Sequence, residues 1–415
     1  MTREMKDSGV KWIGEIPRDW TLSKIGSHFI ERNEKVSDLD YEPLSVTKGG
    51  VVPQLETAAK SSDHNNRKLV LKGDFVINSR SDRKMSAGLA YSNGSVSVIN
   101  TVIYSNTISK EYTKYLLKNY SFAEEFYRWG SGIVADLWST RWHKMKNISI
   151  PVPAITEQEK IAKKLDTLSN NINNIINETK LSIEELKKYK QSIITKAVIK
   201  GLNPNVEMKE SRIKWIGKIP LDWEIRKIGN FFYQVKDKNI DMQEKNLLSL
   251  SYGSIIKRDI NTSDGLLPAS FSGYNIVRSG DIVLRMTDLQ NDKTSLRTGY
   301  VTEQGIITSA YITIRTNHTD IVNPKYIQLL LHSFDIYKGF YGMGSGVRQN
   351  VTFSDIKKLP IILPSKSIQD EIVKYVEKKA ANIDNLLYEK EKTIEELESY
   401  KKSLTYEYVT GKKEV

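Results

Sequence analysis

The chain reads KWIGEIPRDW at residues 11–20 and, 203 residues later, KWIGKIPLDW at residues 214–223; only two of the ten positions differ. A phrase with two tryptophans at fixed spacing does not recur by accident, so the first question is how far the repetition extends. It runs the length of the chain. Lys24-Ile25-Gly26 pairs with Lys227-Ile228-Gly229, and Leu44, Val46, Gly49 and Val51 pair with Leu248, Leu250, Gly253 and Ile255. Gly73-Asp74-Phe75-Val76 pairs with Gly280-Asp281-Ile282-Val283, Lys114-Tyr115 with Lys325-Tyr326, and Gly130-Ser131-Gly132 with Gly344-Ser345-Gly346. Pro153, Gln158 and Ile183-Glu184-Glu185-Leu186 return as Pro364, Gln369 and Ile394-Glu395-Glu396-Leu397. The offset starts at 203, drifts through 204 and 207, touches 214, and holds at 211 from Pro153 to Leu186. Drift marks insertions in loops; constancy marks a segment whose length matters. The chain is thus a tandem duplication of a variable module followed by a length-fixed element. If the copies pack symmetrically, a pseudo-two-fold axis relates them.

The length-fixed element reads as a long helix. Between Pro153 and Pro204 there is no proline, and Gly201 is the only glycine. Ile161, Leu165, Leu168, Ile172, Ile175, Thr179, Ile183, Leu186, Tyr189 and Ile193 step by three and four, close to a heptad seam. A helix over residues 155–200 is roughly 70 Å long at 1.5 Å per residue. In the second copy Ile372, Val376, Ala380, Ile383, Leu387, Ile394, Leu397, Lys401 and Leu404 form the same stripe. One such helix cannot bury its own stripe, whereas two in one chain can bury each other. The intervening module must carry the chain back, so the pair is expected to be antiparallel; packing of each helix on its own module is the plainer alternative.

The variable part shows short alternating runs such as residues 74–78, 98–104, 281–285 and 310–315, separated by Gly, Asn and Ser clusters. Helices are expected at 110–129 and 324–340. Each module is therefore read as a curved, mostly antiparallel sheet with one or two helices. Pro17 forces an extended entry, and Trp12 and Trp20 are expected to anchor the phrase on the module's sheet. The fold class is α+β: two tandem mixed α/β modules at 1–154 and 204–364, each followed by a long helix, at 155–203 and 365–415. The helices are packed as an antiparallel coiled coil.

Little in the chain suggests catalysis. With no cysteine there are no disulfides, thiolate metal sites or Cys nucleophiles. His28, His64, His143, His318 and His332 lack metal-ligand spacing. There is no Walker A sequence and no Asp/Asn-Pro-Pro-aromatic tetrapeptide, and the glycines at 342–346 do not open a strand–turn–helix unit. The Glu-x-Lys triplet Glu377-Lys378-Lys379 sits on the expected helix as ordinary surface. No apolar run approaches the roughly 20 residues of a membrane span and no secretory segment opens the chain, so a cytoplasmic protein is expected. Lys and Arg number 62 against 50 Asp and Glu, a formal charge of +12 that suits a polyanion without requiring one.

Polar residues gather in loops after the strand runs. Arg80, Arg83 and Lys84 follow Asn78, while Arg285, Asp288, Gln290, Asn291 and Lys293 follow Leu284. Beside the Gly-Ser-Gly turns stand Trp138, Arg141 and Trp142, then Arg348 and Gln349; Lys48 and Tyr252 complete the candidate DNA-binding set. Arg and Lys can fork onto guanine edges, and Asn and Gln match adenine. Each has an ordinary alternative as a solvated loop side chain or a phosphate contact that positions without specifying.

These features resemble the specificity subunit of type I restriction–modification systems. The resemblance is carried by Trp-Ile-Gly-x-Ile-Pro-x-x-Trp opening each half, the stretch at 280–290 followed by 305–311, the Gly-Ser-Gly turns leading to Ile150–Pro153 and Ile361–Pro364, and the Gln-x-x-Ile helix with Ile-Glu-Glu-Leu. It covers essentially the whole chain; the stretch at 73–80 is a looser version of its mate. The resemblance implies a subunit without activity or cofactor of its own. Each module would be a target-recognition domain reading one half of a bipartite site in double-stranded DNA. The paired helices would set the spacer and dock two methyltransferase subunits, which bind S-adenosylmethionine and flip out an adenine; a translocase–nuclease subunit can join. A methyltransferase or nuclease with a cryptic site, or a stand-alone DNA-binding regulator, remains open on residues alone.

Overall fold

The computed structural model describes residues 3–57, 64–132, 138–261, 268, 270–289, 292, 294–343 and 351–415. Its helices are α1 (Lys110–Leu116), α2 (Tyr120–Arg128), α3 (Trp142–Met145), α4 (Ile155–Lys200), α5 (Pro324–Ile336), α6 (Phe353–Ile356) and α7 (Lys366–Val409). The chain forms two compact units. One comprises Met1–Lys180 with Lys390–Val415, the other Leu181–Glu389. Each therefore takes one module, part of α4 and part of α7.

In the first unit a four-stranded antiparallel sheet places 75–78 and 100–105 at its centre, flanked by 87–89 and 29–31. A three-stranded sheet (94–97, 67–70, 35–36) and the hairpin of 44–47 with 50–53 cover it. Strand 75–78 is buried at every position, and 100–105 is buried as far as Ile103, as central strands covered on both faces are. In the second unit strands 312–316 and 282–284 take the central places between 232–234 and 298–300. The helix expected at 110–129 is two helices, because Asn119 caps a fresh start by accepting from Phe122 N. Its counterpart α5 runs unbroken from a Pro at the first turn behind the Asn323 cap.

One pairing of the repeats differs from the expected Tyr115 with Tyr326. Tyr112 Oη donates to Val409 O at 3.1 Å in the first unit, and Tyr326 Oη donates to Val198 O at 3.0 Å in the second. Tyr112 and not Tyr115 is thus the counterpart of Tyr326, an offset of 214.

The long helices pack on each other within each unit. In the first, Leu168, Ile172 and Ile176 share a core with Ile394, Leu397 and Leu404, and Lys401 Nζ donates to Asn173 Oδ1 at 2.8 Å. In the second, Ile194 and Ala197 meet Ile372 and Val376, and Lys190 Nζ pairs with Asp384 at 2.7 Å. Partner numbers on α7 fall as those on α4 rise, so the pairing is antiparallel. All nine residues of the α7 stripe are buried or half-buried. On α4 the seam shifts: Ile176 and Ile194 are buried, whereas Ile175 and Tyr189 are 47% and 60% exposed. An α-helix turns in 3.6 residues, so a strict heptad count drifts off the contact line along so long an element.

The opening phrase is buried at Trp12, Ile13, Ile16 and Trp20. Trp12 Nε1 donates to Ser149 O at 3.1 Å and its ring meets Phe122 edge-on, as a module anchor should. Trp20 differs from expectation. Its Nε1 donates to Glu157 of α4 at 3.0 Å, and its ring lies under Gly411, just past the end of α7. Gly411 has φ +73°, and a Cβ there would run into Pro17 and approach Trp20 at 3.2 Å. The second unit repeats this with Gly201 (φ +73°) over Trp223. Each phrase thus closes on the helix end contributed by the other copy. Buried Gln158 and Gln369 tie module to helix: their Oε1 atoms accept from Ser109 N and Asn323 N, and their Nε2 atoms donate to Pro153 O and Pro364 O.

Candidate nucleic-acid interface

In the first module strand 75–78 turns back to 87–89 through residues 79–86. The turn is pinned from beneath: Tyr127 Oη donates to Asn78 O and Arg83 O, both at 3.3 Å, and Asn78 N donates to Ser86 O at 2.9 Å. From the side, Ser81 N donates to Trp138 O and Thr140 N to Ser79 O, so residues 138–140 form an extra ribbon against Arg80. Trp138 is held by Nε1 donating to Tyr127 O at 2.8 Å, and its indole occupies the space a side chain at Gly130 would need.

This framework brings Arg80, Arg141 and Trp142 to one cleft of about 750 Å³, shared with Lys35, Lys68 and Asn100. A neighbouring cleft of about 710 Å³ holds Lys48, Arg67 and Arg83. Ile99 and Asn100 line both, and Val98 and Ile99 are exposed between them. Asn100 was missed in the sequence, where an Asn at a strand start reads as turn chemistry. It is buried with Nδ2 donating to Ser97 O, while Oδ1 has no partner. Two candidates are engaged locally: Lys84 pairs with Glu124 and lies over the Tyr120 ring at 5.7 Å, and Arg83 pairs with Asp82 at 3.4 Å.

In the second module the corresponding turn is organised around Arg297, which is fully buried and which the sequence reading overlooked. Its Nη1 donates to Arg285 O (3.2 Å) and Thr287 O (2.9 Å), its Nη2 to Asp288 O (3.4 Å) and Asp292 O, and its Nε to Tyr341 Oη (3.1 Å). Arg297 N donates to Asp335 Oδ2. Burial raises the Asp335 carboxyl above the usual range, against the pull of the Arg297 amide. Arg285 is half-buried and pairs with Asp292 at 3.5 Å; Asp288 sits in the turn with φ +57°. The Asp292 carboxyl is held well below its ordinary value, chiefly by Ser295. Tyr252 stands 81% exposed with φ +45° at the hairpin tip of 248–251 and 254–257; Lys48 occupies the equivalent tip in the first module. Asn291, Lys293, Arg348 and Gln349 lie outside the described residues, as do Gln290 and the second Gly-Ser-Gly turn.

Among the described residues no group of three His, Asp or Glu could hold a metal ion, and no helix is long and apolar enough to cross a membrane. The surfaces assembled here are basic and polar clefts on rigid turns, suited to binding.

The family "Type I restriction modification DNA specificity domain" matches residues 137–185 and 220–398. The "Putative type I restriction enzyme MjaX specificity subunit" of Methanocaldococcus jannaschii is 27% identical over 248 residues, 53% of this chain and 54% of that protein. The type I restriction enzyme MjaVIII specificity subunit of the same organism is 24% identical over 279 residues, 64% and 62% of the two. The chain thus spans between half and two thirds of the length of these relatives. A chain from a structural study of complex assembly and conformational transition of the type I R-M system has the same fold, with a TM-score of 0.69 at 13% identity over 95% of this chain and 98% of that one. The HsdS subunit from Thermoanaerobacter tengcongensis superposes with a TM-score of 0.54 at 15% identity, with the same coverage. With more than half its residues matched by that family, on a fold built twice around paired helices, the chain belongs to the type I restriction–modification DNA specificity family.

Proposed function

We propose that the chain is the non-catalytic DNA sequence-recognition subunit of a type I restriction–modification complex. Module 1–154 reads one half of a bipartite target in double-stranded DNA and module 204–364 reads the other. Helices 155–203 and 365–415 set the spacer and dock two methyltransferase subunits in the cytoplasm. Those subunits bind S-adenosylmethionine, and a translocase–nuclease subunit completes the complex where the cell has one. The observation that carries this reading is the duplication itself. Two copies of one sheet-and-helix frame present different turns, 79–86 pinned by Tyr127 and 286–297 pinned by Arg297. A protein that must read two unlike half-sites needs a common frame with divergent tips. The basic clefts around Arg80 and Arg141 supply phosphate affinity, with Trp142 and Asn100 beside them for base edges.

Mapping methylated adenines in cells that express the chain with its methyltransferase tests this directly. The expected result is a two-part motif with a nonspecific gap, one adenine modified in each half. A continuous motif, or methylation independent of the chain, defeats the proposal. Inserting four residues in register near Ile183 adds about 6 Å of helix. At 3.4 Å per base pair the gap should lengthen by about one or two base pairs, with both halves unchanged.

A further inference from the structure

Within the first unit a third cleft, of about 560 Å³, opens between the α1–α2 turn and the paired helices. Lys48, Lys118, Lys180, Lys401 and Lys402 line it; Glu398 is the single acid among the lining residues. Lys401 is the counterpart of Lys190 in the other repeat, and Asn173 that of Asp384, both by the constant offset of 211. Lys190 is ion-paired with Asp384 at 2.7 Å, whereas Lys401 donates to the neutral amide of Asn173 at 2.8 Å and feels Glu398 only through its charge. Lys402 corresponds to Gln191 at the same offset, and Lys118 to His332 at the 214 offset that relates Tyr112 to Tyr326. In the second unit these two uncharged groups bond to each other, His332 Nε2 to Gln191 Oε1 at 3.0 Å. One repeat has therefore closed this place with an uncharged internal hydrogen bond. The other has filled it with ammonium groups: burial lowers both Lys118 and Lys401, and Lys401 lowers Lys118 further.

We propose that this cleft is a binding site for a backbone phosphodiester of DNA, so that the helical spacer of the first unit itself grips the duplex while that of the second does not. Lys48 lines this cleft and also the reading cleft that holds Arg67 and Arg83. That continuity favours the strand leaving the reader over an acidic side chain of a protein partner. Ammonium groups on long stems make point contacts to phosphate without reading sequence. The inference rests on the DNA-reading function proposed above.

The test converts the first cleft into the second with residues the other repeat already carries at these places: Asn173→Asp, Lys118→His and Lys402→Gln in the full chain, purified with its methyltransferase subunits. Two duplexes of equal length serve as probes, one containing the target mapped by methylation and one scrambled. Dissociation constants are measured across a salt series. Each lost phosphate contact lowers the slope of log K against log salt by about 0.9, so the triple variant should lose about 2 to 3. Target and scrambled duplexes should weaken by the same factor, and the methylated motif should not change. Lys190→Gln, already ion-paired, should leave the slope as it is. An unchanged slope in a folded triple variant overturns the inference while the reading function stands. So does loss of methyltransferase copurification without a change in slope, which would make the cleft a protein dock. If the wild-type complex shows no preference for its mapped target, the reading function and this inference fall together.

Discussion

In the first module strand 75–78 returns to its neighbour through residues 79–86, and Ser86 stands at the foot of the turn. In the second module the equivalent return is longer, and Arg297 stands at the same foot: Arg285 N donates to Arg297 O at 2.9 Å as Asn78 N donates to Ser86 O. The short turn is held by backbone bonds at its foot and along residues 138–140, with Tyr127 from below. The long one would expose a row of carbonyls to the interior, and a buried guanidinium gathers four of them. One frame therefore supports tips of different length because the residue at the foot, a serine in one and a buried arginine in the other, changes with the loop it carries.

Breaking that contrast should produce the largest effect. Arg297→Met removes every side-chain donor and leaves buried carbonyls bare. The second unit should lose about 3 to 5 kcal/mol, and Ser86→Ala in the first no more than about 1 kcal/mol. Denaturant unfolding of the full chain would show a destabilised transition for the former alone. Equal losses would mean that Arg297 is not the organising group. Arg297→Lys, which keeps the charge but not the fork, should keep the first half-site and blur the second in a methylation map.

A second contrast lies at the counterparts Lys118 and His332. His332 is buried, its Nδ1 has no partner, and burial, aided by Lys325 and Lys190, lowers its pKa to about 4. The folded value lies below the ordinary 6.5, so the neutral form is preferred in the fold. Its contribution is complete above pH 6.5 and is lost as pH falls toward 4, up to about 3 kcal/mol. His332→Gln should flatten that part of the stability–pH curve for the second unit. A curve parallel to the wild type between pH 6.5 and 4 would show that another group titrates there.

The helix ends give a third contrast. Gly411→Ala forces a left-handed residue to carry a Cβ into Pro17, whereas at Gly201 the nearest atom is Trp223 Cζ2 at 3.2 Å. The former should cost about 2 kcal/mol or more and the latter about 1, read as shifts in thermal midpoint. Equal shifts would mean that φ alone matters.

What the sequence disclosed follows from what repetition and periodicity can record. The offset of 211 held where helices pack, and the stripe on α7 is buried or half-buried at all nine positions. On α4 the stripe took Ile175 and Ile193 where the neighbouring Ile176 and Ile194 are buried, and Tyr189 is exposed, because a 3.5-residue count slips on a 3.6-residue helix. Trp20 was placed on its own module's sheet, since nothing local says that Gly411, nearly four hundred residues away, will lie over it. Arg297 was passed over because its counterpart is a serine, so the repeat carried no echo of it. Cation-rich loops look alike in a string of letters. Only the fold separates Arg80 and Arg141, gathered at one cleft, from Lys84, turned onto α2.

That last separation makes the smallest prediction and the sharpest test of the interface. Lys84 and Glu124 are each roughly two-fifths exposed, so their ion pair is solvated and screened. Lys84→Ala should cost under about 1 kcal/mol. If the pair occupies Lys84 fully, its loss should leave DNA affinity and salt slope as they were. Arg80→Ala or Arg141→Ala should lower the slope by about 1 and weaken binding. All three carry one positive charge, and the salt slope counts neutralised phosphates, so a difference in slope reports which cations the fold leaves available to the backbone. Should Lys84→Ala lower the slope as much as Arg80→Ala, the division between engaged and available cations drawn from the ion pair with Glu124 would be wrong.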